Sequence, residues 1–142
     1  MAKRSAAMPK RSKSGNSTAD STTGIKSGGN YFDTIARMIA EVADGLDYAH
    51  NHGVIHRDIK PDNIIRTADG TVKLADLGLA RPTDDGQWAE AEEGLAIGTP
   101  YYISPEQIRG KKDVNPAADI YSLGATLYHM VTGQVPFTGK TP

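Results

Sequence analysis

The chain has 142 residues, of which 38% are hydrophobic and 23% charged, with a formal net charge of −1 and a mean hydropathy of −0.45. These values suit a soluble globular domain rather than a fibrous or membrane-embedded one. Cysteine is absent, which excludes disulfides, thiolate catalysis and cysteine-based zinc sites, and no window reaches the roughly 18 apolar residues of a membrane span or shows the apolar core of a secretory signal. A cytoplasmic location with no membrane partner is the expectation.

The small net charge conceals an asymmetry. Residues 1–30 hold six basic groups and one acid, whereas residues 31–142 hold ten basic groups and sixteen acids. Lys3, Arg4, Lys10, Arg11 and Lys13 stand among Ser, Thr, Gly and Ala, a composition that cannot bury enough apolar surface to offset its ordering entropy. The first 30 residues therefore read as a disordered basic tail. No aromatic side chain is interleaved for base stacking, so nucleic acid is not the expected partner of that tail.

From Tyr31 the pattern changes and a second unit, residues 31–142, begins. Ile35, Met38, Ile39, Val42, Leu46 and Ala49 recur at three- and four-residue steps, which predicts one helix to about His50. Asn51-His52-Gly53 is a helix stop, and Val54-Ile55 reads as a short strand before the polar run His56 to Asn63. Ile64 to Arg66 and Thr71 to Leu74 flank Asp69-Gly70, the signature of a β-hairpin. Residues 79–100 show no sustained period and read as a long loop, a length that is usually functional or disordered. Ser104-Pro105-Glu106 opens a short helix with Pro at its first position. Ile120, Leu123, Leu127, Tyr128 and Val131 mark a last helix that ends at Thr132-Gly133.

The polar run carries the chemistry. His56-Arg57-Asp58 is followed by Asn63 after four intervening residues, and Asp76-Leu77-Gly78 lies just beyond the hairpin. Phosphoryl transfer needs a carboxylate to accept a hydroxyl proton and oxygen ligands to hold Mg²⁺ on phosphates. Gly98 to Glu106 and Asp119 to Gly124 follow in order. On these four motifs, residues 31–137 resemble the middle of the C-terminal lobe of a eukaryotic-type Ser/Thr protein kinase, in a form similar to bacterial members.

The resemblance implies an α+β fold, mainly helical with a small β-hairpin, and ATP-dependent phosphorylation of protein Ser or Thr hydroxyls with ATP and Mg²⁺ as cofactors. It implies Asp58 as the base that orients the substrate hydroxyl, Lys60 against the transferred phosphate, and Asn63 and Asp76 as Mg²⁺ ligands. Thr99 would brace Asp58 and Lys60 and shape the substrate-docking loop. His56 and Asp119 read as structural, Asp119 as a buried anchor for the loop backbone. Glu106 reads as a buried carboxylate without its family partner, an Arg supplied by a later helix that these 142 residues do not contain. Leu77 and Tyr121 replace Phe and Trp of the family pattern as apolar fillers.

Other kinase parts are not visible. The sequence has no Gly-x-Gly, no strand Lys and no matching helix Glu, and only 55 residues precede His56. The expectation is a kinase-like C-lobe without its N-lobe, weakly active or inactive alone. A protein substrate and a second chain that supplies the missing lobe are the candidate partners. The alternative is a non-catalytic interaction fragment. Finally, Arg57 beside the catalytic Asp marks kinases switched by a loop phosphate, yet residues 84–98 contain no Ser, Thr or Tyr. Glu92 or Glu93 is a candidate constant charge facing Arg57; a solvated acidic loop is the simpler reading.

Overall fold

A computed structural model describes residues 29–83, 90 and 92–139. Most of the basic tail lies outside the described residues, but its last two positions, Gly29 and Asn30, already belong to the first helix. That helix, α1, runs Gly29–Asn51. Its apolar stripe buries Ile35, Val42 and Leu46, and Met38, Ile39 and Ala43 flank them. The period of 3.6 residues aligns these side chains on one face. Gly53 ends the turn at φ 71°, a left-handed conformation that glycine adopts without a Cβ penalty.

Strand β1 is Val54–Ile55. A 3₁₀ turn at Pro61–Asn63 leads into β2, Ile64–Arg66, which pairs antiparallel with β3, Val72–Leu74, through Ile65 opposite Lys73. The hairpin is where the Asp-Gly signal put it, and Gly70 takes φ 93° in the turn. One element differs from the sequence reading. Arg81–Pro82, inside the expected loop, forms β4 and pairs with β1, Ile55 opposite Arg81. Thr83 N–H extends the ladder to the Gly53 carbonyl at 2.7 Å.

Helix α2 spans Pro105–Ile108 and α3 spans Ala117–Thr132. Ser104 and Gln107 form a reciprocal capping box on α2 that satisfies otherwise orphaned N–H groups. Helix α3 begins three residues before the first apolar marker, and Gly133 ends it at φ 73°. Its buried face is small and polar, with Ala118, Asp119, Ser122, Ala125 and Thr126 joined by Leu123. Ile120, Tyr128 and Val131 are exposed. The core gathers Val42 and Leu46 of α1, Ile59, Ile64 and Leu123, so α1, the hairpin and α3 meet around the loop that carries Asp58. Tyr31 Oη donates to the Met130 carbonyl and ties the start of α1 to the end of α3.

Gly110 shows how tightly the long loop is seated. It has φ +57°, and a Cβ there would lie 2.5 Å from Gly94 Cα, while Gly94 N–H donates to the Gly110 carbonyl at 3.0 Å. Gly110→Ala is therefore expected to lift residues 92–95 from their seat at a cost of about 1–3 kcal/mol, the range for overpacking and backbone strain. Amide exchange at Gly94 and Leu95 reads the effect; unchanged protection there contradicts it.

Candidate active site

The loop after β1 is hung from α3. Asp119 is fully buried, and its carboxylate accepts from His56 N–H at 2.9 Å and Arg57 N–H at 2.8 Å. His50 Nε2 approaches the same carboxylate at 2.7 Å. Arg57 takes φ 70°, a left-handed conformation uncommon for a residue with a Cβ, so the two bonds to Asp119 hold a strained turn in place. His56 is buried, with Nε2 3.2 Å from the Ala75 carbonyl. It spans from this loop to the end of β3.

Asp58 follows, 7% exposed. Lys60 Nζ donates to Asp58 Oδ2 at 2.7 Å and to Thr99 Oγ1 at 2.9 Å. The Thr99 hydroxyl donates in turn to Asp58 Oδ1 at 2.6 Å. Burial pushes the Asp58 carboxyl up, but hydrogen bonds from Lys60 and Thr99, the Lys60 charge and the Asn63 amide together hold it below the ordinary carboxylate value of 3.8. Asp58 is thus an ionised acceptor at neutral pH. Its stabilising contribution is present above the unfolded carboxylate pKa and is lost as pH falls through the lower folded one.

Lys60→Met removes one hydrogen bond and one positive charge from the Asp58 carboxylate and leaves the burial. The Asp58 carboxyl is then expected to titrate at higher pH than in the native chain. Carboxyl-carbon NMR titration without added divalent cation measures this, and an unmoved midpoint contradicts it.

Asn63 Nδ2 donates to the Asp58 carbonyl at 2.8 Å and lies 3.3 Å from Asp58 Oδ2. Both partners are acceptors, so the amide NH₂ must face them, which turns Oδ1 the other way. Asp76 is exposed and also left-handed, with φ 63°. Gly78 N–H donates to Asp76 Oδ1 at 3.1 Å, and a Cβ on Gly78 would come within 2.9 Å of that oxygen. Glycine here leaves the carboxylate its place. Among the described residues no group of three or more His, Cys, Asp or Glu side chains could cage a metal. Two hard oxygens, one from Asn63 and one from Asp76, suit Mg²⁺, which binds through few protein ligands, phosphates and retained waters. Leu77 is 65% exposed, contrary to the expected filler role.

The segment beyond β4 is anchored by charge. Arg57 Nη1 donates to Glu92 Oε2, and Arg81 Nη2 lies 3.4 Å from Glu92 Oε1. The Glu92 side chain is 15% exposed, so it is not part of a solvated acidic face. Glu93 does fit that reading, being 60% exposed and 3.0 Å from Lys112. Glu106 is half-buried rather than buried. Its neighbour Gln107 is the buried one, and Nε2 donates to the Arg57 carbonyl at 2.9 Å and the Ile97 carbonyl at 3.1 Å. Sequence reasoning passed over Gln107, His50 and Arg81; only the Ser104-x-x-Gln107 spacing offered a signal.

The chain matches the protein kinase domain family over residues 17–142. It belongs to that family. Kinases similar to it are named serine/threonine-protein kinases. The chain is 44% identical over 105 residues to PknB of Mycobacterium tuberculosis, covering 74% of this chain and 17% of the relative. Against the probable PknB of Bifidobacterium longum it is 48% identical over 105 residues, covering 74% and 15%. Against that of Corynebacterium glutamicum it is 43% identical over 107 residues, covering 75% and 16%. The chain thus spans about a sixth of the length of these relatives. Its helices and small sheets are those of a kinase domain segment, and among the described residues no helix is long and apolar enough to cross a membrane.

Proposed function

We propose that this chain forms C-lobe catalytic machinery of a serine/threonine protein kinase, directing ATP-dependent phosphoryl transfer to protein Ser or Thr hydroxyls. The observation that carries the reading is the Asp58 carboxylate, ionised and bracketed by Lys60 and Thr99. Such a carboxylate orients an incoming hydroxyl and takes its proton late, as a loose phosphoryl-transfer transition state requires. Lys60, held between Asp58 and Thr99, is placed to meet a transferring phosphoryl oxygen. Asn63 and Asp76 would hold Mg²⁺, which when bound neutralises charge on the phosphates of ATP. A Lys two residues after the base supports Ser/Thr rather than Tyr as acceptor, as do the names of the relatives.

The 142 residues contain no Gly-x-Gly, so the test uses the chain alone and fused behind the nucleotide-binding lobe of an active bacterial kinase. Radiolabel transfer from Mg·ATP to a basic protein is expected from the fused form and is expected to fall by about 10² or more with Asp58→Asn. No transfer from either form removes the reading and favours a non-catalytic docking fragment, for which the exposed Ile120, Tyr128 and Val131 of α3 speak.

A further inference from the structure

We infer that Glu92 is a positioning residue: a built-in carboxylate that clamps Arg57 and Arg81 and holds the activation segment against the catalytic loop without phosphorylation. The inference rests on the kinase reading above. Its basis is the geometry around the loop preceding Asp58. Arg57 is 9% exposed, immediately adjacent to Asp58, and its guanidinium donates to Glu92 through Nη1. The other Glu92 oxygen faces Arg81 Nη2. Arg81 belongs to β4, which pairs with β1, and β1 leads straight into His56-Arg57-Asp58. One carboxylate therefore joins the catalytic loop at Arg57, strand β4 at Arg81 and the segment that runs on to Thr99.

Three further contacts hold Glu92 where it is. Gly94 N–H donates to the Gly110 carbonyl, Leu95 N–H donates to the Glu92 carbonyl at 2.9 Å, and Lys112 pairs with Glu93. Gln107 completes the connection by binding the carbonyls of Arg57 and Ile97 together. A negative group that pairs with a buried Arg orders the segment carrying it. In a phosphorylated loop that group is a modified hydroxyl, but residues 84–98 hold no Ser, Thr or Tyr. The charge that loop modification supplies transiently is here part of the chain, and the clamp is permanent.

The pocket between the catalytic loop and α2 is lined by Arg57, Arg81, Glu92, Gln107, Lys111 and Lys112. Among the described lining residues Glu92 is the acid, and Glu93 pairs with Lys112. Replacing Glu92 with a neutral isostere removes the negative charge that both the Arg57 and the Arg81 guanidinium contact. Charge-assisted hydrogen bonds are the stronger ones, and their loss releases a segment locally before it unfolds the molecule.

The experiment compares the unmodified chain with Glu92→Gln and Glu92→Asp, each before and after treatment with a protein phosphatase. Amide exchange at Arg57 to Lys60 and at Leu95 to Thr99 is read on the full chain without nucleotide. Exchange about tenfold faster or more is expected for Glu92→Gln, near-native exchange for Glu92→Asp, and no change after phosphatase. In the fused form, Glu92→Gln is expected to lower kcat, counted per folded molecule, about tenfold with KM for ATP unchanged, and Glu92→Asp to restore it. Native exchange and native kcat for Glu92→Gln, or loss of protection on phosphatase treatment, overturn the inference. If no form transfers phosphate, the kinase reading fails while the exchange data still decide the role of Glu92.

Discussion

Asp58→Asn is expected to lower kcat for transfer to a protein hydroxyl by about 10² to 10⁴, the usual worth of a positioned proton acceptor. The substitution keeps the size of the side chain and removes its charge. In the native chain the two carboxylate oxygens accept from Thr99 Oγ1 at 2.6 Å and Lys60 Nζ at 2.7 Å. An amide has one acceptor oxygen, so one of those donors must face an NH₂ group. Lys60 then loses the carboxylate that holds it, and the acceptor proposed for the substrate hydroxyl is gone. Because both losses are felt mainly in the transition state, kcat and kcat/KM should fall together while KM for ATP stays close to native. Steady-state rates across a range of ATP concentrations on the fused form measure this. A rate within about threefold of native would mean that Asp58 is not the acceptor and that Lys60 and Thr99 bind a structural carboxylate.

How far the sequence foretold this site depended on separation along the chain. Helix α1 was readable because Ile35, Val42 and Leu46 repeat with a helical period, and the hairpin because Asp69-Gly70 matches a tight turn. Strand β4 was not, since Arg81-Pro82 lacks the β-branched residues that mark Val54-Ile55 and owes its pairing to β1. Helix α3 was found by its large apolar residues, yet Ile120, Tyr128 and Val131 are exposed while Ala118, Ser122, Ala125 and Thr126 are buried. Small side chains let α3 approach the loop closely, and small polar residues leave little trace in a hydropathy pattern. Asp58, Lys60 and Asn63 are near neighbours in one run and could be read together. Gln107 meets Arg57 across 50 positions and His50 meets Asp119 across 69, so their roles depend on tertiary proximity that no local spacing announces. Loop acidity was legible, but that Glu92 meets Arg57 and Arg81 while Glu93 meets Lys112 depends on tertiary placement that composition does not show.

Asp119→Ala is expected to be the most damaging single change to stability among those considered. The carboxylate is completely buried and takes two backbone donors, His56 N–H and Arg57 N–H, together with His50 Nε2. Alanine leaves the two N–H groups buried without acceptors, and each such group costs about 1–3 kcal/mol. With the His50 contact also lost, a total of about 3–5 kcal/mol is expected, as for breaking a buried network. That is a large part of the roughly 5–15 kcal/mol that holds an ordinary domain together. The loss also releases Arg57, whose φ of 70° is held against its own preference, so the strained turn should relax first and carry Asp58 with it. In urea, where small proteins have slopes of about 1–3 kcal/mol per molar, the midpoint should fall by about 2 M. Asp119→Asn separates charge from packing: one oxygen can still take one N–H while its NH₂ opposes the other, so its midpoint should lie between native and Asp119→Ala. A midpoint for Asp119→Ala within about 0.3 M of native would show that the catalytic loop holds its shape through Gln107, Asn63 and the core packing of Ile59 instead.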